Sequence, residues 1–279
     1  MSNRNSQANK QAARERLRAE RERQAKRDKI RRQMTVAGGI LVVLAVAGGI
    51  GFAISNSTGG SKNVKVSDKK WRAAAAKTTF AEPAHTTGEQ GLGIVIGDKD
   101  AKNTLGVFED PRCPACASFE QNTGETVLKD IKDGKYKAQF ALGTFLDDSF
   151  GGSGSKNALS ALGAALNVST DAFLDYKKTL YAAKNHPDER DDQFSDDEKL
   201  IRIAQQVKEL KGNKGFEADV RKGTYDKWAL AMSDYFNKQK IKGTPTIRLN
   251  GKNLTVDGRY APMSPQQFTP LVDEGLKKK

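Results

Sequence analysis

The chain has 279 residues, 47 basic and 34 acidic side chains for a formal net charge of +13, a 37% hydrophobic content and two cysteines. That length suits one large domain or two small ones, the modest apolar fraction excludes a polytopic membrane protein, and two cysteines cannot form the framework of a disulfide-stapled mini-domain. The charge is uneven: residues 1–33 hold twelve Lys or Arg against four Asp or Glu, whereas residues 34–54 hold none.

The uncharged run MTVAGGILVVLAVAGGIGFAI would reach about 31 Å as a helix at roughly 1.5 Å per residue, close to the ~30 Å of a bilayer core. One transmembrane helix, a signal anchor over residues 34–54, is therefore predicted. Its glycines are tolerated in lipid, where the backbone has no other partner. Cations stop at Arg32 and resume only at Lys62. The positive-inside rule then makes residues 1–33 a cytoplasmic tail and places everything after Ile54 outside a single-pass cell-membrane protein. Ala45-Val46-Ala47 also offers a small-x-small cleavage site, but the apolar run continues past it, and either reading exports the rest of the chain. The tail has no aromatic residue on which a base could stack, so no nucleic-acid partner is expected.

Residues 55–90 read as a Ser/Gly linker followed by a short helix, SDKKWRAAAAK, serving as a tether. The domain proper is expected from 91 to 279. Residues 93–96 and 104–108 read as buried strands separated by the turn GDKDAKN; a helix should start near Cys113 and run toward Ile131, and residues 136–142 form the next strand after Asp133-Gly134. From about 153 to 240 only helices are expected. Ser169 or Thr170 should cap DAFLDYKKTLY, and Ser195 with Glu198 forms a capping box before KLIRIAQQVKEL. The acidic stretch 188–197 reads as a solvated connector. Strand character returns at 246–249, Asn250-Gly251 signals a hairpin with residues 254–256 as partner, and Ser264-Pro265 opens a terminal helix.

Both cysteines fall in Cys113-Pro114-Ala115-Cys116. With Pro114 at the first helical position, Cys113 becomes the N-cap, where free N–H groups and the helix dipole favour its thiolate. Cys116, three residues on, lies on the same face within reach of a disulfide. A structural disulfide over so small a loop would constrain the unfolded chain little. A zinc site would need two more ligands, and His85 and His186 are far from the pair in sequence, so no metal and no cofactor are expected. Redox chemistry is the reading that remains. Gly243-Thr244-Pro245-Thr246 stands before the apolar strand; an X-Pro bond there can be cis, leaving Thr244 to offer its backbone to an extended substrate beside the sulfurs. Trp71 and Trp228 read as packing aromatics, and Arg112 either stabilises a thiolate or faces water.

The order strand, C-P-x-C helix, strand, helical insertion, T-P strand, hairpin, helix resembles the thioredoxin-like fold of the DsbA family, in particular its membrane-anchored Gram-positive members. Residues 97–116, ending VFEDPRCPAC, are similar to that family's strand-to-active-site segment, and GTPT to its cis-proline loop. The resemblance implies an α/β thiol:disulfide oxidoreductase. Most naturally it is an oxidase of exported proteins with cysteine thiols, re-oxidised by a membrane redox partner; a reductase or isomerase of the same fold is the alternative, and a non-catalytic tethered binding module a further one. Two departures stand out. Ala115 occupies the place where the family's oxidases carry histidine. Val107 occupies the place, six residues before the first cysteine, where many thioredoxin folds bury a carboxylate that relays protons. Glu109 and Asp110 are nearer, and strand alternation should allow at most one of them to approach the sulfurs.

Overall fold

The computed structural model describes residues 66–277. The basic tail and the apolar run expected to cross a membrane lie outside them; among the described residues no helix is long and apolar enough to span a bilayer. The helices are α1 (Val66–Ala76), α2 (Pro114–Lys132), α3 (Phe145–Phe150), α4 (Gly154–Val168), α5 (Thr170–Tyr181), α6 (Asp197–Ala204), α7 (Lys214–Lys222), α8 (Asp226–Lys238) and α9 (Pro265–Lys277). The strands are β1 (Ile94–Ile96), β2 (Thr104–Glu109), β3 (Lys137–Leu142), β4 (Thr246–Leu249) and β5 (Lys252–Asn253), and they form a five-stranded sheet in the order β1-β3-β2-β4-β5.

β2 and β3 run parallel, with Val107 opposite Phe140, and β1 and β4 flank them antiparallel. Parallel neighbours require a crossover, and α2 supplies it. Side chains alternate between the two sheet faces. Leu105, Val107, Phe140 and Ile247 share one core with Phe119 of α2 and Phe268 of α9, whose rings meet edge-on at 6.4 Å. Phe108 and Ala141 point the other way, against Phe236 of α8.

The helical insertion starts earlier than expected, with α3, whose sequence FLDDSF is too short to show a helical period. α4 is apolar almost all round and is buried all round, the normal consequence of such a composition. At Gly163 a Cβ would lie 2.9 Å from the Trp228 ring, so only glycine lets α4 and α8 approach this closely. Ser169 caps α5 as expected, its hydroxyl accepting from Ala172 N at 2.8 Å. The capping box at Ser195 does not form. Ser195 belongs to a short 3-10 turn and its hydroxyl donates back to Asp192 O, while Asp196 caps α6. α6 also ends at Ala204, not near Leu210; Val207 and Leu210 stay buried through tight turns that close at Gly212, where φ is 69°.

The hairpin has positive φ at Asn250 and Gly251, and its returning strand is β5 in place of residues 254–256. Helix α1 is more than a tether. Trp71 and Ala74 are buried in the main core, and Lys227 Nζ donates to Ala75 O at 2.8 Å. Trp228 is also buried, its indole N–H donating to Gly91 O at 2.9 Å.

Candidate active site

Pro114 is the first residue of α2 and Cys113 its extended N-cap, with φ −73° and ψ 118°. The turn before it is closed by Cys113 N donating to Asp110 O at 2.9 Å. No bond of full capping geometry reaches the sulfur, although the first-turn Cys116 N–H helps to favour its thiolate. It turns toward the loop before β4, where the Thr244–Pro245 peptide bond is cis. Thr244 Oγ1 donates to Cys113 Sγ at 3.3 Å, and the thiol form can donate to Thr244 O at 3.7 Å. Cys113, Pro114, Ala115, Cys116, Thr244 and Pro245 are thus brought to one place by two segments far apart in sequence.

The two thiols differ. Cys113 is held below its ordinary pKa, first by a hydrogen bond from the Cys116 thiol and then, against the cost of burial, by the Thr244 hydroxyl. Burial pushes Cys116 well above its ordinary value, reinforced by its donation to Cys113 and by the nearby Glu109 carboxylate. One thiol is therefore poised to ionise and attack, and the other to stay protonated. Both are free thiols walled by Leu146, Tyr181 and the half-buried Ala115, Phe145 and Phe150. Thr244→Val is expected to raise the Cys113 pKa and slow its alkylation at neutral pH by roughly tenfold, the worth of one hydrogen bond to a charged group; thiolate absorbance against pH checks it.

Val107 leaves the position six residues before Cys113 without a carboxylate, and the next acidic side chain along the strand is Glu109. It lies two residues further along β2, on the same sheet face, and is fully buried. Lys177 of α5 donates to it at 3.0 Å and to Glu120 of α2 at 2.6 Å, and lies over the rings of Phe140 and Tyr181. The second Glu109 oxygen, Oε1, has no hydrogen-bond partner. Burial outweighs the pull of Lys177 and raises the Glu109 pKa to about 7.

Asp110 is buried as well, its carboxylate accepting from Arg112 N, Ser155 Oγ and Leu146 N. It follows the last strand residue, so alternation no longer governs it. Ionised Glu109 opposes the Cys116 thiolate and ionised Asp110 that of Cys113. Arg112 neither stabilises the thiolate nor faces water. It is completely buried and donates to Asp147 Oδ1 at 2.9 Å, to Gly151 O at 3.1 Å and to Glu189 O at 2.6 Å, with Asp192 at 3.3 Å. Asp192 also accepts from Ser153 N and Gly154 N, and Phe194 is buried, so the acidic stretch 188–197 is a structural clasp on the start of α4. His186, distant in sequence, is brought to the site's edge with Nε2 3.1 Å from Pro111 O; His85 is exposed. Among the described residues no cluster of potential ligands could hold a metal ion.

Lys177 and Tyr181 are the site residues that sequence reasoning missed. A signal for Lys177 exists: it stands four residues after buried Phe173 and four before buried Tyr181, in the middle of an apolar stripe. A cation placed there must find a buried partner.

The family model described as Thioredoxin matches residues 89–274. Disulfide bond formation protein D of Bacillus subtilis is 28% identical over 158 residues, 57% of this chain and 68% of that protein. A serine/threonine-protein kinase, PknE of Mycobacterium tuberculosis, is 27% identical over 120 residues, 41% of this chain but 21% of the kinase. Among solved structures, oxidised BdbD from Bacillus subtilis superposes with a TM-score of 0.54 at 23% identity, over 71% of this chain and all of that one. The thiol-disulfide oxidoreductase MdbA from Actinomyces oris gives 0.56 at 19% identity over 71% and 91%. Reduced DsbG from Mycobacterium tuberculosis gives 0.54 at 20% over 67% and 93%. These structures share the fold, and the matched model over most of the chain places the molecule: the chain belongs to the thioredoxin family and is similar to DsbA-like thiol:disulfide oxidoreductases.

Proposed function

We propose that the protein is an extracytoplasmic oxidase that introduces disulfides into exported proteins, held at the cell membrane by residues 34–54. The observation that carries this reading is the asymmetry of the pair, an acidified Cys113 beside a buried Cys116 that resists ionisation. A stabilised thiolate favours the reduced enzyme, which makes the disulfide form an oxidant.

The cycle begins with Cys113 and Cys116 joined. A substrate thiolate attacks Sγ of Cys113; the Cys113-Cys116 bond breaks, and Cys116 leaves with the electron pair and takes a proton from neutral Glu109. A second substrate thiolate then attacks the substrate sulfur of the mixed disulfide. Its bond to Cys113 breaks, and Cys113 departs as a thiolate that the Thr244 hydroxyl receives. The substrate has lost two electrons to the enzyme dithiol, and a membrane redox partner removes them. Thr244 and Pro245 are suited to align an extended substrate strand, with the apolar rim of Ala115, Phe145 and Phe150 beside its cysteine.

The reduction potential against glutathione tests the direction. An oxidase is expected above about −200 mV, in the range of isomerases and strong oxidants, whereas a value near −270 mV, like thioredoxin's, would reject it in favour of an extracytoplasmic reductase. Among the described residues no cation acts on Cys113, which gives that second reading its one support; the Arg112 guanidinium pairs instead with Asp147 and Asp192.

A further inference from the structure

Three lysines, Lys238, Lys240 and Lys242, stand in the chain just before the cis-proline loop, and all three are exposed. The segment that carries them is fixed in place. Lys238 ends α8, and Lys240, at φ 54°, turns the chain away from the helix. Arg248 donates to Gln239 O at 3.3 Å while its guanidinium lies 4.9 Å from the centre of the Phe108 ring. Ile241 packs into the cluster of Phe108, Ala141 and Phe236, with an exposed lysine on either side of it. Phe236 also stacks on Phe145 of the apolar rim around the sulfurs, at 6.3 Å. The lysine segment and that rim thus share one support. Among the described residues none of the three ammonium groups has an ion pair or a hydrogen bond. The nearest carboxylate in sequence, exposed Asp234, stands one turn before Lys238 and does not pair with it. Asp148, the exposed carboxylate of α3, has Lys156 as its counter-charge. Lys238 and Lys240 suit the carbonyl end of α8, whose dipole favours cations. Lys242 lies beyond that end, and the dipole does not account for it.

We propose that Lys238, Lys240 and Lys242 form a basic ledge beside the dithiol that selects clients whose exchanging cysteine is flanked by aspartate or glutamate. The inference rests on the oxidase reading and adds a substrate class to it. Lys242 is two residues before Thr244, and two residues of chain span at most about 7 Å. Thr244 Oγ1 is in turn 3.3 Å from Cys113 Sγ. A client cysteine that reaches Cys113 therefore brings its sequence neighbours alongside the ledge. An acidic neighbour meets unpaired cations there, and a basic one is repelled. The apolar rim of Ala115, Phe145 and Phe150 has no charge preference of its own. Attraction of this kind acts during encounter, before the sulfurs meet, so it raises kcat/KM at low salt. It fades as the Debye length shrinks from about 30 Å at 0.01 M salt to about 3 Å at 1 M.

Three peptides with two cysteines each test it, one with glutamates beside the cysteines and the others with glutamine or lysine in the same places. Each rate with the oxidised full chain is divided by the rate of the same peptide with the uncharged reagent dithiodipyridine, which removes the effect of the flanks on the peptide thiols themselves. At low salt the glutamate peptide is expected to exceed the glutamine peptide about threefold to tenfold in kcat/KM, the worth of one or two exposed charge pairs. The lysine peptide should be slowest, and the ratios should approach one near 1 M salt. Lys238→Gln, Lys240→Gln and Lys242→Gln together should abolish the glutamate preference, and Lys242→Gln alone, clear of the helix end, should reduce it. Changing exposed Lys208, Lys211 and Lys222 to glutamine removes as much charge from a part of the insertion that contributes nothing to the site, and should leave the preference in place. Equal rates for the three peptides, or a preference lost equally from both triple variants, would overturn the ledge and leave the oxidase reading standing. A protein that oxidises none of the peptides would sink the oxidase reading and the ledge with it.

Discussion

Cys113→Ser is expected to reduce dithiol–disulfide exchange to the uncatalysed background while changing unfolding stability by no more than about 1 kcal/mol. A hydroxyl cannot ionise near neutral pH, and attack by or on the sulfur at this position is the whole of the chemistry. The substitution is nearly isosteric, the N-cap role suits serine at least as well as cysteine, and the Thr244 contact survives in kind. Loss of activity at unchanged stability therefore reports chemistry alone. Insulin reduction and oxidation of a dithiol peptide, run beside a denaturant melt, measure both quantities. Equal activity in parent and variant would leave the non-catalytic binding module as the better reading.

Lys177→Met is expected to cost about 3–5 kcal/mol of stability, because removing one partner of a buried ionic group leaves the others uncompensated. Lys177 Nζ is the cation shared by Glu109 and Glu120, at 3.0 and 2.6 Å. The pH dependence has a definite sign. Glu109 in the folded protein has a pKa raised from 4.5 to about 7, so its ionisation costs stability as pH rises through that window. Without Lys177 that cost grows, and the deficit should be greatest at pH 8 and smaller at pH 5.5, where Glu109 takes up a proton. Adding Glu109→Gln to Lys177→Met should recover part of the loss at pH 8. Denaturant unfolding of the single and double variants at the two pH values checks each step.

What the sequence made legible is what local spacing encodes. CPAC with proline at the first helical position predicts an N-cap cysteine, Asn250-Gly251 predicts positive φ at two successive positions, and the TPT before β4 marks the loop that meets the sulfur; each of these appears at its residues. Long-range pairing was not legible. Arg112 sits beside the nucleophile in sequence, yet its partners Asp147 and the Glu189 carbonyl are 35 and 77 positions away, and the clasp turns the guanidinium from the thiolate. The acidic stretch 188–197 is largely exposed, as its polar composition suggests, but Asp192 and Asp196 also bond helix-start N–H groups, which composition does not reveal. Ser195 lost its capping role to its neighbour because a 3-10 turn had already committed its hydroxyl. Strand alternation leaves open which of Glu109 and Asp110 shares the face of Val107; the structure puts Glu109 there, and Asp110 follows the end of β2, where alternation no longer applies.

The central claim is that Cys113 forms a mixed disulfide with exported thiol proteins and that Cys116 stands ready to break it. Trapping in the protein's own cells with Cys116→Ala tests this most directly. Reducible adducts of exported, cysteine-containing proteins should accumulate on Cys113 and vanish when Cys113→Ser is added. A Cys116→Ala protein that carries no adduct, or adducts that persist without Cys113, would contradict it.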